Sequence, residues 1–261
     1  MILKLLFSLI GSILLFAGFS NKAAAATEVF VELVLAVDCS SSVNEEEFEL
    51  QMLGLSQAFA HPDIHAAFEQ AGEKGIAVAL LQWSGEADQI RSIEWHHVFD
   101  AVTVQNFANI LLDTPRQAVG GATALGDAIL ESATWIHGND FLGERQVIDV
   151  SGDGQNNQGE PAKSARDQAL KSGVTFNGLA ILNEDQRLGE YYVENVVAGP
   201  GSFLITAGDF EDFARAIRKK IFFEITGPPI ATYDSLEDTA AFPTNSEKIE
   251  VKSRRTDQIL L

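Results

Sequence analysis

The chain has 261 residues, of which 46% are hydrophobic and 21% are charged, and its formal net charge at pH 7 is −19. This charge repels phosphate backbones and anionic lipid headgroups, which excludes nucleic acid and membrane surfaces as expected partners. The only cysteine is Cys39, which excludes a scaffold held together by internal disulfides.

Residues 1–26 have the layout of a secretory signal peptide. Lys4 precedes an apolar run over residues 5–19, and four alanines at 23–26 supply the small residues of a cleavage site. The run is short for a membrane span, and a retained membrane anchor is the alternative interpretation. We therefore expect an exported protein, periplasmic or secreted, whose mature chain begins at Thr27 and is not inserted in a membrane.

Apolar strand-like runs alternate with helical periodicity along most of the chain. This alternation predicts an α/β fold with a largely parallel sheet. The predicted strands cover residues 29–37, 75–84, 90–98, 145–154, 174–182 and 202–207. The third of these follows the second after a short loop that contains glycine, which favours an antiparallel pair of neighbours.

Helices are predicted between these strands from the spacing of their apolar residues. The first has an apolar face that begins at Phe48, and Asn44 and Glu47 stand at capping-box spacing at its start. The others cover 104–112, 120–136 after a glycine turn, a segment from Pro161 to near Gly173, and a last helix with an apolar face over 210–221. The pattern ends at Ile225, so residues 226–261 are interpreted as a C-terminal tail or appendage.

Three polar turns lie at strand or helix ends, at residues 38–42, 120–123 and 151–154. In an open α/β sheet, turns of this kind meet at the carboxyl edge of the strands, where ligands bind. Two carboxylates and three hydroxyls would converge there, and the carboxylates would repel each other in the absence of a cation. A hard divalent ion removes this repulsion, and Mg²⁺ suits the oxygen set.

Three motifs in a fixed order resemble a known binding site. They are an Asp-x-Ser-x-Ser motif after the first strand, a threonine in a glycine-rich turn and an Asp-Gly pair after a later strand: Asp38, Ser40, Ser42, Thr123 and Asp153. Over roughly residues 28–225 the chain resembles von Willebrand factor A (VWA) domains with a metal-ion-dependent adhesion site (MIDAS). The segment DVSGDGQNNQG is similar to an exported bacterial subgroup of the DUF1194 type.

The resemblance implies a fold, a ligand set and a function. The fold is a three-layer, Rossmann-like VWA domain over residues 27–225, with six mostly parallel strands, one antiparallel edge strand and helices on both faces. In the implied ligand set, hydroxyls bind the metal directly (Ser40, Ser42), Thr123 binds directly or through water, and carboxylates act through bound waters (Asp38, Asp153). The metal is expected to be Mg²⁺, with Mn²⁺ or Ca²⁺ as alternatives.

A VWA domain of this kind leaves one coordination position open. The resemblance therefore implies a partner protein that presents an Asp or Glu carboxylate to the metal. The expected function is that of a non-catalytic adhesion or assembly domain.

Other interpretations of the same residues stay open. Ser42 or Asn44 can cap the first helix without any metal. Asp149 is either a buried acid with a local partner or a residue that supports the metal site. Asn156 and Asn157 form either a solvated loop or a rim that contacts a partner.

A calcium-binding loop is a competing interpretation. Five residues match positions 1, 3, 5, 6 and 12 of an EF-hand loop: Asp149, Ser151, Asp153, Gly154 and Glu160. An EF-hand loop follows a helix, whereas the preceding segment RQVIDV is rich in β-branched residues and strand-like. This context argues against the calcium loop.

An envelope hydrolase is a second competing interpretation. The sequence has no Gly-x-Ser-x-Gly elbow and no P-loop. Four of the five histidines lie on segments far from the three polar turns: His61, His65, His96 and His97. We therefore predict no catalytic residues. A structural subunit whose metal only stabilises the fold is a third possibility.

Overall fold

The computed structural model of the protein describes residues 26–72 and 74–227. The strands are β1 (Thr27–Asp38), β2 (Ile76–Trp83), β3 (Gln89–Val98), β4 (Phe141–Gly152), β5 (Thr175–Ile181) and β6 (Leu204–Ala207). The helices are α1 (Glu45–Phe59), α2 (Pro62–Ala71), α3 (Ala101–Asp113), α4 (Leu125–Ile136), α5 (Ala162–Ala169), α6 (Leu188–Asn195) and α7 (Phe213–Thr226). One 3₁₀ turn, Leu170–Ser172, follows α5.

The six strands pair in one sheet in the order β3-β2-β1-β4-β5-β6. Strand β3 pairs antiparallel with β2, and all the other pairs are parallel. The predicted six-stranded, mostly parallel sheet with one antiparallel edge strand is confirmed. Strand β2 is buried along its whole length and is apolar except for Gln82, as expected for a strand that is covered on both faces of a largely parallel sheet.

Helices cover both faces of the sheet, because successive residues of a strand point to opposite sides. On β1, Leu33 and Leu35 pack with apolar residues of α1, α2, α3 and α7. Val34 and Ala36 of the same strand pack with apolar residues of α4, α5 and α6. The sheet is therefore the middle layer of three, and loops from both outer layers meet at the carboxyl ends of the strands.

The capping box predicted for α1 is present. The Asn44 side chain accepts a hydrogen bond from the Glu47 backbone N–H at 3.0 Å, and the Glu47 carboxylate accepts one from the Asn44 N–H at 2.8 Å. This reciprocal pair satisfies two backbone donors at the helix start. Helix α1 therefore begins directly after the first polar turn, and the capping box fixes the backbone where the chain leaves that turn.

The structure differs from the predicted elements in three respects. Helices α2 and α6 were not predicted; α2 is short and begins with Pro62 almost directly after α1, so its pattern merges with that of its neighbour. Strand β4 begins at Phe141, before the predicted start at 145. Pro161 is the N-cap of α5 rather than a residue of its first turn, and Gly173 ends the following 3₁₀ turn with a positive φ of 91°.

Two predicted segments lie outside the described residues. These are the signal peptide, apart from Ala26, and the tail beyond Gly227. Within residues 26–72 and 74–227, none of the helices combines the length and apolar character that a bilayer crossing requires.

Candidate metal centre

The first and third polar turns lie side by side at the carboxyl edge of the sheet. Strands β1 and β4 are parallel neighbours, with Val37 opposite Ser151, so the residues that follow them emerge together. The Ser42 hydroxyl donates to Asp153 Oδ1 at 2.7 Å, and the Ser40 and Ser42 hydroxyl oxygens are 3.2 Å apart. The structure thus joins the two motifs through their own side chains.

The glycine-rich turn brings Thr123 to the same place. A Cβ atom added to Gly154 would lie 3.5 Å from Thr123 Oγ1, so the threonine hydroxyl faces the turn that follows β4. The Ser41 N–H donates to the Gly121 carbonyl at 3.0 Å, which ties the second turn to the first. All five predicted ligand residues therefore meet at one edge of the sheet.

Asn156 and Asn157 hold the start of α4. Asn157 accepts from the Thr123 N–H at 2.8 Å through Oδ1, and its own N–H donates to the Thr123 carbonyl at 2.9 Å. Asn156 Oδ1 accepts from the Gly126 N–H at 2.9 Å. Ala124, the N-cap of α4, has no side chain that could do this. These two asparagines fix the backbone that presents the Thr123 hydroxyl.

The two carboxylates of the site are buried and partly unpaired. Asp38 is 0% exposed and Asp153 is 3% exposed. Burial, with a further contribution from the negative charge of Asp153, raises the pKa of Asp38 to about 7, although the Ser40 N–H donates to Asp38 Oδ1 at 2.7 Å. Burial also raises the pKa of Asp153. Among the described residues, Asp38 Oδ2 and Asp153 Oδ2 have no hydrogen-bond partner.

This donor set fits a hard divalent cation. Two buried carboxylates in one site need either a proton or a positive charge between them. Within the described part of the chain no group of three or more His, Cys, Asp or Glu side chains could hold a metal, so the site depends on hydroxyl oxygens beside the two acids. Hydroxyl, carboxylate and water oxygens suit Mg²⁺, whereas zinc sites favour nitrogen and sulfur.

Gly152 and Tyr192 were missed by sequence reasoning. A Cβ atom on Gly152 would lie 2.7 Å from Asp38 Oδ2 and 2.8 Å from the Tyr192 hydroxyl, so only glycine lets β4 pass this close to the Asp38 carboxylate. The Tyr192 side chain is fully buried, and its hydroxyl has no partner among the described residues. Tyr192 lies on α6, a helix that the sequence pattern did not predict, so no local signal pointed to it.

Asp149 lies away from this site, in the core beneath α7. Its carboxylate is 3.1 Å from the buried Lys220 ammonium, which also lies 3.3 Å from Glu224 Oε1. Asn177 donates to Glu224 Oε1 at 2.7 Å. Burial raises the pKa of Asp149 to about 7 in spite of the lysine. The structure therefore gives Asp149 a local charged partner.

The calcium-loop and hydrolase interpretations each require a structural context that differs from the one in the structure. Asp149 and Ser151 belong to β4, so a strand stands where an EF-hand has a helix. His61 caps α2 and His65 lies within it, while His96 and His97 belong to the edge strand β3. These four histidines are thus on elements other than those that form the site.

Comparison with known proteins identifies a family and a shared fold. The family model described as Protein of unknown function (DUF1194) matches residues 28–229. No curated protein matches the sequence. Solved structures with a similar fold include proximal thread matrix protein 1 (PTMP1) from the mussel byssus, with a TM-score of 0.57, 15% identity, and coverage of 77% of this chain and 49% of that chain.

Two further structures have the same fold. One is PTMP1 from the mussel byssus with a zinc-occupied MIDAS motif, with a TM-score of 0.55, 14% identity, and coverage of 77% of this chain and 49% of that one. The other is the pilus adhesin SpaC from Lactobacillus rhamnosus GG, with a TM-score of 0.55, 13% identity, and coverage of 76% and 30%. The chain thus spans about half of the mussel protein and less than a third of the adhesin, and the likeness is one of fold.

Proposed function

Because the chain belongs to the family of unknown function DUF1194 and has a VWA-like fold, we propose that it is an exported, non-catalytic domain that binds a partner protein through a divalent metal. The observation that carries this proposal is the pair of buried carboxylates, Asp38 and Asp153, each with one oxygen unpaired among the described residues, at the sheet edge that also holds the hydroxyls of the first and second polar turns. Such a pair is unfavourable in a site without positive charge.

Each ligand residue has a distinct part in the proposed site. Ser40, Ser42 and Thr123 would offer hydroxyl oxygens, while Asp38 and Asp153 would supply negative charge and orient bound waters. A bound Mg²⁺, with Mn²⁺ or Ca²⁺ as alternatives, would supply a coordination position for an Asp or Glu carboxylate of the partner. The zinc-occupied MIDAS motif of the mussel protein and the adhesin among the similar folds support this proposal.

A metal-dependent gain in stability tests the ion site. With Mg²⁺ at about 100 times its dissociation constant, the wild type should gain roughly 2.7 kcal/mol, a rise of about 5 to 10 °C in melting temperature for a domain of this size. Thr123→Ala and Ser42→Ala should lose most of this gain, because each removes a hydroxyl oxygen from the set. Thermal melting in Mg²⁺ and in EDTA measures both effects.

Glu160→Gln is the matched control, because only the calcium-loop interpretation makes Glu160 a ligand. It should respond to Mg²⁺ like the wild type. A wild-type melting curve that is the same in Mg²⁺, Mn²⁺, Ca²⁺ and EDTA would contradict the proposal and leave helix capping as the role of these residues.

Capture of a partner tests the open coordination position. The immobilised chain should retain a partner from an envelope or secreted fraction in Mg²⁺ and release it in EDTA, because neither surface could form the carboxylate bond without the ion. Thr123→Ala should weaken retention strongly, and Glu160→Gln should spare it. Since both surfaces would be acidic, association should become faster as salt screens their repulsion. Full retention in EDTA would refute the mechanism.

A further inference from the structure

An arginine from a distant segment contacts the first polar turn. Arg116 lies between α3 and α4, and its side chain is only 11% exposed. Its Nη2 group donates to the Cys39 carbonyl at 2.7 Å and to the Ser40 carbonyl at 3.3 Å. Its Nε group donates to the Ala118 carbonyl at 3.2 Å. The guanidinium therefore joins the backbone of Cys39 and Ser40, within the Asp-x-Ser-x-Ser motif, to the loop that carries Arg116.

The loop that carries Arg116, residues 115–118, is itself attached to the sheet. The side chain of Gln82 on β2 is fully buried. Its Oε1 atom accepts from the Gln117 N–H at 2.6 Å and the Ala118 N–H at 3.2 Å, and its Nε2 group donates to the Pro115 carbonyl at 2.8 Å. Three hydrogen bonds from one side chain thus fix the base from which Arg116 extends.

Arg116 also contacts the helix that follows the first turn. Its guanidinium carbon lies 5.9 Å from the centre of the Phe48 ring, and Nη1 is 3.8 Å from Glu45 Oε2. Both partners belong to the first part of α1. Contacts on the base, the target turn and the next helix leave the guanidinium little freedom, and its planar fork suits simultaneous bonds to several acceptors.

The loop with Arg116 leads directly to Thr123. The hydroxyls of Ser40 and Ser42 and that of Thr123 therefore come from two separate loops. These loops are joined by Arg116 and by the hydrogen bond from the Ser41 N–H to the Gly121 carbonyl. Octahedral coordination tolerates only small errors in ligand position. The affinity for an oxygen-ligated ion therefore depends on the relative position of the two loops.

We propose that Arg116 is a positioning residue for the metal centre, which holds the Asp-x-Ser-x-Ser turn against the loop of Thr123; this inference rests on the proposed function. Its charge and its hydrogen bonds act on metal affinity with opposite signs. A positive charge near a cation opposes binding, whereas hydrogen bonds that fix the ligand turn favour it. The direction of the change on substitution therefore separates the two effects.

The test compares Arg116→Met, Arg116→Lys and Arg145→Met by calorimetric titration with Mn²⁺. Arg116→Met should weaken Mn²⁺ binding about 10- to 100-fold, the range for residues that orient ligands from outside the coordination sphere. Arg116→Lys keeps the charge but has no planar fork, and should also weaken it.

Arg145 is the matched control. It donates to the Glu224 carbonyl at 2.5 Å and stands eight residues before Asp153, roughly 26 Å away along β4. Arg145→Met should lower the melting temperature and leave Mn²⁺ affinity within about twofold, because its backbone contact lies outside the site. Wild-type or tighter Mn²⁺ binding by Arg116→Met would overturn the proposal, because the loss of the arginine hydrogen bonds would then cost no net affinity.

Hydrogen exchange of the Ser41 amide separates this inference from the proposed function. In the metal-free protein, the Ser41 N–H should exchange faster in Arg116→Met than in the wild type. Its hydrogen-bond acceptor, the Gly121 carbonyl, is on the loop that Arg116 holds. Unchanged Ser41 exchange would overturn the positioning role even if Mn²⁺ binds the wild type. A wild type that binds no Mn²⁺ would overturn the proposed function, and the metal-positioning role with it.

Discussion

Lys220→Met is expected to lower the free energy of unfolding by about 3 to 5 kcal/mol, the range for removing one partner of a buried ion pair. Lys220 is fully buried, and its ammonium group lies 3.1 Å from Asp149 Oδ1 and 3.3 Å from Glu224 Oε1. Methionine would fill the space and leave two carboxylates in the core without a positive charge. Urea denaturation at pH 8, above the pKa of about 7 to which burial raises Asp149, measures the loss.

The groups around Lys220 cannot replace its charge. Asn177 is neutral and already donates to Glu224, while Arg145 donates to the backbone carbonyl of Glu224 rather than to its carboxylate. Lys219→Met, on the same helix but less buried, is the matched control and should change stability by about 0.5 kcal/mol or less. A Lys220→Met protein as stable as wild type would contradict the prediction.

Neutralising the acids should restore much of the loss. The triple variant Lys220→Met, Asp149→Asn, Glu224→Gln contains no buried charge in this cluster. Because replacing a whole buried ion cluster is often nearly neutral, whereas breaking it is costly, the triple variant should be more stable than Lys220→Met alone. The comparison separates the cost of unpaired charge from the cost of altered packing.

Asp38→Asn is expected to remove a large pH dependence from the metal-free protein. The folded-state pKa of Asp38, about 7, exceeds its ordinary value of 3.8, so the folded state binds the proton more tightly than the unfolded state. The contribution of Asp38 to stability is therefore fully present below about pH 4 and is lost as pH rises to 7. Between pH 5 and pH 8 the loss spans two pKa units, or about 3 kcal/mol.

The measurement is urea denaturation of the wild type and Asp38→Asn in EDTA at pH 5 and pH 8. Asp149 and Asp153, whose pKa values burial also raises, contribute falls of the same sign to both proteins, so the difference between them reports on Asp38. The free energy of unfolding of Asp38→Asn, relative to that of the wild type, should be higher at pH 8 than at pH 5. The variant should show no stabilisation by Mg²⁺. Exposed Asp113→Asn is the control and should follow the wild type. Parallel pH dependence of wild type and Asp38→Asn would contradict the prediction.

Sequence patterns predict the sheet well because its central strands contain long apolar runs. Strand β2 is apolar except for Gln82 and is buried along its whole length, as expected for a strand that is covered on both faces. Helix α6 was missed because eight residues carry little periodic signal. Tertiary packing, rather than helix propensity, supplies most of the stability of such short helices.

The candidate site likewise contains residues that the sequence predicts and residues that it does not. Asp38, Ser40 and Ser42 form a local motif that can be read directly, and the structure brings them to Thr123 and Asp153; their roles as ligands stay predictions. The supporting contacts join residues that are far apart in the chain, such as Arg116 and Cys39, whose sequence separation is 77. No local pattern encodes such a pair, because each residue alone resembles an ordinary polar loop residue.

Asn156 and Asn157 have a consequence for protein engineering. The start of α4 depends on side chains that come from the loop after β4, 30 and 34 residues later in the chain. A foreign scaffold that received only the segments 38–42, 120–123 and 151–154 would lack the groups that orient Thr123. The smallest transplantable unit therefore extends to residue 157, and single peptides copied from any one turn would carry ligands without their geometry.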